Sequence, residues 1–155
     1  MISDAGCGHD DGRAPQRIRG RVFWPLGRAA RMAQQLVTAR LAAAGMQRGY
    51  YGVLATLEEF GPAAQADIGR RLGLDPSDMV AILNVLEDRQ WVCREPDPGD
   101  RRRNRVTLTP AGQAAVAHAD QVVAEAEDEL LAALGPADRA ALAGLLERIT
   151  RPDAG

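Results

Sequence analysis

Four arginines fall within five positions in the segment Asp97-Pro-Gly-Asp-Arg-Arg-Arg-Asn-Arg-Val-Thr-Leu-Thr109. Guanidinium groups stay charged and donate in a planar fork that matches phosphate oxygens. They also suit the narrow, electronegative minor groove of DNA better than other side chains do. Such chemistry needs the arginines on a defined tip rather than on a loose tail. Pro-Asp-Pro-Gly-Asp is turn chemistry, and it is flanked by Val92-Cys93-Arg94 and Arg105-Val106-Thr107-Leu108, both extended in character. The segment therefore reads as a β-hairpin with an unusually long cationic tip.

The elements that must position this tip lie just before it. Residues 65–87 fit two helices joined by a turn: Gly73 falls in the turn, Gly69 is small where the helices cross, and Ile68, Leu72, Leu74, Met79 and Ile82 form the internal apolar set. The second helix is expected over 76–89. Asp75 suits its N-cap, Pro76 the first helical position, and Asp78 the third, near the positive end of the helix dipole. Met79, Ile82, Leu83 and Leu86 recur at i, i+3, i+4, i+7, which makes them the core face and leaves Ser77, Ala81, Asn84 and Asp88 opposite. A helix-turn-helix alone also serves as a plain packing motif. Joined to an arginine-tipped hairpin, it points to a winged helix that grips DNA.

The remaining elements are helical. Residues 1–20, with scattered glycines and charges, read as a disordered tail. A long amphipathic helix is expected over 22–44, carried by Leu26, Ala29, Ala30, Ala33, Leu36, Val37 and Leu41. Another runs over 49–60 and stops at Gly61-Pro62. After the hairpin, Thr109-Pro110 opens a helix continuing to about residue 134. Gly135-Pro136 breaks it, and Leu142, Leu145, Leu146 and Ile149 stripe a last short one. The fold class is thus mainly α with a small β-hairpin wing, a single domain over 21–150 with the winged helix-turn-helix at about 49–109. The apolar stripes of the outer helices, 22–44 and 110–150, need more covering surface than the winged lobe offers. A second copy of the chain is the economical source of that surface, and folding back on the same lobe is the alternative.

Composition narrows the class further. At 155 residues, 46% hydrophobic and 26% charged, the chain can bury one real core. No apolar run approaches a membrane span and the start lacks signal-peptide character, so a cytoplasmic location is expected. The net charge of -2 hides a segregation: residues 12–57 hold eight arginines and no acid, whereas 110–155 set three arginines against eight acids. The two segments are expected to pack together, within or between chains, unless each is simply a solvated face. No nucleophile motif, phosphate-binding glycine loop or close carboxylate–histidine set appears, so no catalysis is expected. No cofactor is implied, and Cys7, His9, Cys93 and His118 match no metal-site spacing. Cys93, on a short strand, is either a redox-sensing thiol or a small apolar filler. An adaptor that uses its winged helix for protein contacts is a further non-enzymatic reading.

The stretches Gln65-Ala-Asp-Ile-Gly-Arg-Arg-Leu-Gly-Leu-Asp-Pro-Ser77, Leu86-Glu-Asp-Arg89 and Arg94-Glu-Pro-Asp-Pro-Gly-Asp-Arg-Arg-Arg-Asn-Arg-Val-Thr-Leu-Thr-Pro-Ala-Gly112 resemble the MarR family of bacterial transcription regulators. The resemblance spans residues 46–112. It implies a homodimer with interleaved outer helices and two winged lobes set on a pseudopalindromic double-stranded operator, a repressor commonly relieved by a small phenolic or aromatic ligand or an oxidant. It also implies site roles. Asp100 orients the wing arginine and Arg102 enters the minor groove, with Arg101 and Arg103 on phosphates. Ser77, Asp78, Ala81 and Asn84 face the major groove, and Gln65 touches phosphate. Asp78 and Ala81 stand where threonine and arginine are usual in the family, so affinity is expected to lean on the wing. Trp24, Arg28, Tyr50 and Tyr51, near the junction of the first two long helices, form either a pocket for a planar effector or plain core packing.

Overall fold

Helical spacing and proline or glycine punctuation set most boundaries in the computed structural model, which describes residues 14–102 and 104–151. Five long or medium helices and the hairpin lie where periodicity puts them. They are α2 (Phe23–Ala43), α3 (Arg48–Phe60), α4 (Gln65–Leu72), α5 (Pro76–Asp88), β2 (Val92–Pro96), β3 (Asn104–Leu108) and α6 (Pro110–Leu130), followed by a sixth such helix, α7 (Pro136–Thr150). Two small elements are additions. One turn of helix, α1 (Gln16–Arg19), lies inside the stretch expected to be a disordered tail. A two-residue strand, β1 (Ala63–Ala64), lies between the Gly61-Pro62 break and the helix-turn-helix.

β1 converts the hairpin into a three-stranded antiparallel sheet of order β1-β3-β2. Ala63 pairs with Val106 and Ala64 with Arg105, while β2 and β3 run in register from Val92↔Leu108 to Pro96↔Asn104. The wing is therefore tied on one edge to the chain entering α4, which limits its swing against the helix-turn-helix.

The core sits in this lobe. Val53, Leu54, Ile68, Met79, Leu83, Leu86, Val92 and Val106 are buried, joined by Leu41 from the end of α2 and Val116 and Ala119 from α6. Gly73, at φ 64°, ends α4 in the left-handed conformation that the expected turn requires. At Gly69 the fit is looser than expected: an added Cβ would meet only ordinary contacts, the nearest being the Leu74 carbonyl oxygen at 3.5 Å. The crossing needs a small residue, not specifically glycine. Asp75 occupies the N-cap of α5, yet its carboxylate caps nothing. The fixed φ of Pro76 starts that helix instead.

Gly112 is the tight point. A Cβ there would lie 2.0 Å from the Trp91 carbonyl oxygen and 2.7 Å from Leu108 Cδ1. Thr109 caps α6 as expected: the Gly112 N–H donates to Thr109 Oγ1 at 3.0 Å, the Thr109 hydroxyl donates to the Gln90 carbonyl at 2.6 Å, and the Thr109 N–H donates to the Trp91 carbonyl at 3.0 Å. These bonds clamp the base of the wing between the end of α5 and the start of α6.

Beyond the lobe, the outer helices bury little. Leu41 is the only fully buried residue of α2, and α7 has none. α6 ends at Leu130 rather than about 134. Past that end, Arg139 of α7 donates its Nε to the Leu134 carbonyl at 3.2 Å and pairs with Asp128. Arg40 pairs with Glu129, so the basic and acidic segments meet within one chain at that point. Leu26, Ala33, Leu36, Val123, Leu130 and Leu142 line an apolar groove of about 590 Å³ between α2, α6 and α7.

Candidate nucleic-acid interface

The wing tip is shaped by its own acids. Asp97 Oδ1 accepts from the Gly99 N–H at 2.7 Å and Asp100 Oδ1 from the Arg102 N–H at 3.1 Å. Both carboxylates are spent on turning the backbone, as aspartate does in tight turns. Asp100 thus orients Arg102 through the main chain and not through the guanidinium. Arg101 and Arg102 are exposed at the tip, and Arg103 lies outside the described residues. Arg105 is half-buried on β3 opposite Glu95.

On α5 the expected reading face is open. Ser77, Asp78, Ala81 and Asn84 are all exposed, with the buried Met79, Leu83 and Leu86 on the opposite side. Gln65, in the first turn of α4, forms with Arg70, Pro76, Met79 and Asn104 the walls of a cleft of about 470 Å³ between α4, the start of α5 and the wing.

Two arginines that sequence reasoning left without a role hold this surface together. Arg94, on β2, donates through Nε to Glu87 Oε2 at 3.0 Å and through Nη2 to the same carboxylate oxygen at 2.8 Å. The same Nη2 also meets Asn84 Oδ1. It braces the wing against α5. Arg89, just past α5, donates to the Gly45 carbonyl at 2.7 Å and lies over the Trp91 and Tyr50 rings, 4.8 and 5.5 Å from their centres. Each bridge joins residues from different elements, which no periodicity reveals. The one available hint was the acid Glu87 at the helix end.

The residues suggested for an effector fall into two pairs within one chain. Tyr50 is buried in the lobe core at 8% exposure, and its neighbour Tyr51 donates its hydroxyl to Asp120 Oδ1 of α6 at 2.7 Å. Trp24 and Arg28, both half-buried, sit one turn apart in the first part of α2. It is Leu41, at the other end of that helix, that shares the core with Tyr50. At a rise of 1.5 Å per residue, Trp24 lies about 25 Å along the axis from Leu41. Cys93 is half-buried, with Sγ 3.8 Å from the Thr107 carbonyl. His118 is exposed on α6, and Cys7 and His9 lie outside the described residues.

Chemically, the surface combines a cationic tip, an exposed helix face and a rigid link between them. Comparison with known proteins agrees in kind. Residues 44–103 match the sequence model of the MarR family. A Thauera aromatica protein, named as a candidate transcriptional regulatory protein for the hcr operon, is 33% identical over 109 residues, covering 70% of this chain and 66% of its own length. The chain thus spans just under two thirds of that relative. The transcriptional repressor CouR bound to a 23-mer DNA duplex is 30% identical, with a TM-score of 0.77 over 88% of this chain and 96% of that one. A cysteine-to-serine mutant of MarR from E. coli, complexed with operator DNA, is 26% identical, with a TM-score of 0.68 over 82% and 94% of the two chains.

Proposed function

The chain belongs to the MarR family of transcriptional regulators, and we propose that it is a sequence-specific DNA-binding homodimeric repressor, released from its operator by a small aromatic effector. One observation carries the DNA reading: the exposed Arg101 and Arg102 stand on a hairpin that Arg94 and the Thr109 clamp hold in fixed relation to the exposed face of α5. A tip and a helix locked together can engage a minor groove and the adjacent major groove at once. Ser77, Asp78, Ala81 and Asn84 then face bases. Gln65, Arg101, Arg102 and Arg103 take phosphates or the minor groove.

The dimer reading draws on the outer helices, whose apolar groove and exposed stripe have no cover among the described residues of one chain. Two lobes on one dimer would occupy half-sites about one helical turn apart and exclude polymerase. The effector reading draws on the joint between lobe and outer helices, which Tyr51 and Asp120 tie together. An aromatic acid lodged there, or at Trp24 and Arg28, would change the spacing of the lobes. Acting on chromosomal DNA places the protein in the cytoplasm. Among the described residues no helix is long and apolar enough to cross a membrane.

The decisive experiment is titration of duplex DNA across salt concentrations. Affinity that falls steeply as salt rises reports displaced counterions and supports the reading. A protein that ignores duplex at low salt is an adaptor, and the proposal fails.

A further inference from the structure

Resting on the DNA-binding reading above, we propose that Arg94 makes Asn84 a donor-only reader of the major groove. With its amide oxygen turned to the guanidinium, Asn84 offers a base its NH2 group and selects guanine or thymine.

The orientation of the amide follows from chemistry. A guanidinium has donors and no acceptor, so the Asn84 atom that meets Arg94 Nη2 is oxygen. Turning the amide over would set its NH2 group against the donors of Arg94. Nor can Arg94 move aside freely. Its Nε and Nη2 reach Glu87 Oε2 at 3.0 and 2.8 Å, and its side chain is only 18% exposed. Withdrawing would strand a charge at the base of the wing. Asn84 itself stays exposed on the face of α5 that carries Ser77 and Ala81.

The consequence for base reading is specific. A free asparagine pairs with adenine through both amide atoms, accepting from N6 and donating to N7. Here the accepting half is engaged, and a base amino group brought to the same oxygen would sit beside a positive charge. What remains is donation, which guanine O6 and N7 or thymine O4 accept; adenine offers N7 alone, with its own donor N6 amino group beside it, and the cytosine amino group accepts nothing. Arg94 touches no base in this scheme. It is a positioning residue acting through Asn84.

Selection from a randomised duplex library by the full-length protein, repeated with variants, tests this. The base position whose preference disappears in Asn84→Ala is the one that Asn84 contacts, and in the wild type it should be guanine or thymine, favoured about tenfold over cytosine. Arg94→Met frees the amide and should shift that position to adenine, whereas Arg94→Lys, which keeps a donor, should restore the wild-type preference. Asn84→Asp lies on the exposed surface, does not depend on refolding of the wing, and should shift the position towards cytosine. Adenine or cytosine selected by the wild type, no position lost in Asn84→Ala, a guanine or thymine preference kept in Asn84→Asp, or an unchanged preference in a natively melting Arg94→Met each overturns the proposal. Absence of any duplex binding by the wild type would instead overturn the DNA reading, and this proposal with it.

Discussion

Removing the Arg102 guanidinium takes one full charge from the tip and leaves the turn intact, because the bond that Asp100 accepts comes from the Arg102 main chain. Arg102→Ala should therefore weaken duplex binding by roughly tenfold and reduce the salt slope by about 1, with melting temperature and mass unchanged. Normal binding by this variant would remove the wing from the interface. Asp100→Ala differs in kind, since it loses the turn bond and should loosen the tip while leaving its positive charges in place. Tyr51 provides a second residue-level test. Burial first, then the hydrogen bond to Asp120 and the charges of Asp120 and Glu58, push its hydroxyl from 10.0 up to about 12. The folded state thus holds the phenolic proton more tightly than the unfolded chain. The stability this contributes is complete below pH 10 and is lost as pH rises from 10 towards 12. Ultraviolet difference absorbance should show a phenol ionising near that upper value, and Tyr51→Phe should abolish it.

Between elements, the junctions matter more than the elements themselves. Gly112→Ala would drive a methyl into the Trp91 carbonyl, 2.0 Å away, at the point where α6, α5 and the wing meet. The backbone must shift, and destabilisation of about 3 kcal/mol or more is expected in a denaturant melt. Gln90 adopts φ 58° in the turn from α5 to β2, a conformation that costs a side-chain-bearing residue about 1 kcal/mol, so Gln90→Gly should stabilise by roughly that amount. Neither junction contact can be read from periodicity. What was legible was each element alone: Pro76 and Pro110 open their helices, Gly73 closes α4, and the apolar repeat of α5 marks the face that is buried. The missing pieces are too small or too distant in sequence to leave a pattern. Two alanines cannot show strand alternation, so β1 was invisible, and one helical turn at Gln16–Arg19 has no repeat to detect. The bridges from Arg94 to Asn84 and from Arg89 to Gly45 span 10 and 44 residues, and only the folded chain brings them together. The aromatic pairs were placed near one junction because their helices are consecutive, but a 21-residue α2 separates them.

At the scale of the whole molecule, the distribution of burial is lopsided. The lobe has a closed core, while α7 buries nothing and leaves Leu145 and Ile149 at 54% and 66% exposure beside the open groove of α2 and α6. An apolar surface of that extent on helices without their own core is normally covered by a partner. Sedimentation equilibrium should accordingly give twice the 16.6 kDa chain mass. Leu145→Asp combined with Ile149→Asp puts two carboxylates into the same face without touching the lobe, and should return the protein to 16.6 kDa with the winged helix still folded. The effect on DNA should then exceed that of any single wing substitution. A dimer binds its second half-site at the high effective concentration set by the first, so splitting it should cost on the order of a hundredfold or more in affinity for a two-half-site duplex. Binding to a single half-site should change little. If the double variant stayed dimeric, or bound the full site as the wild type does, the outer helices would not be what couples the two lobes.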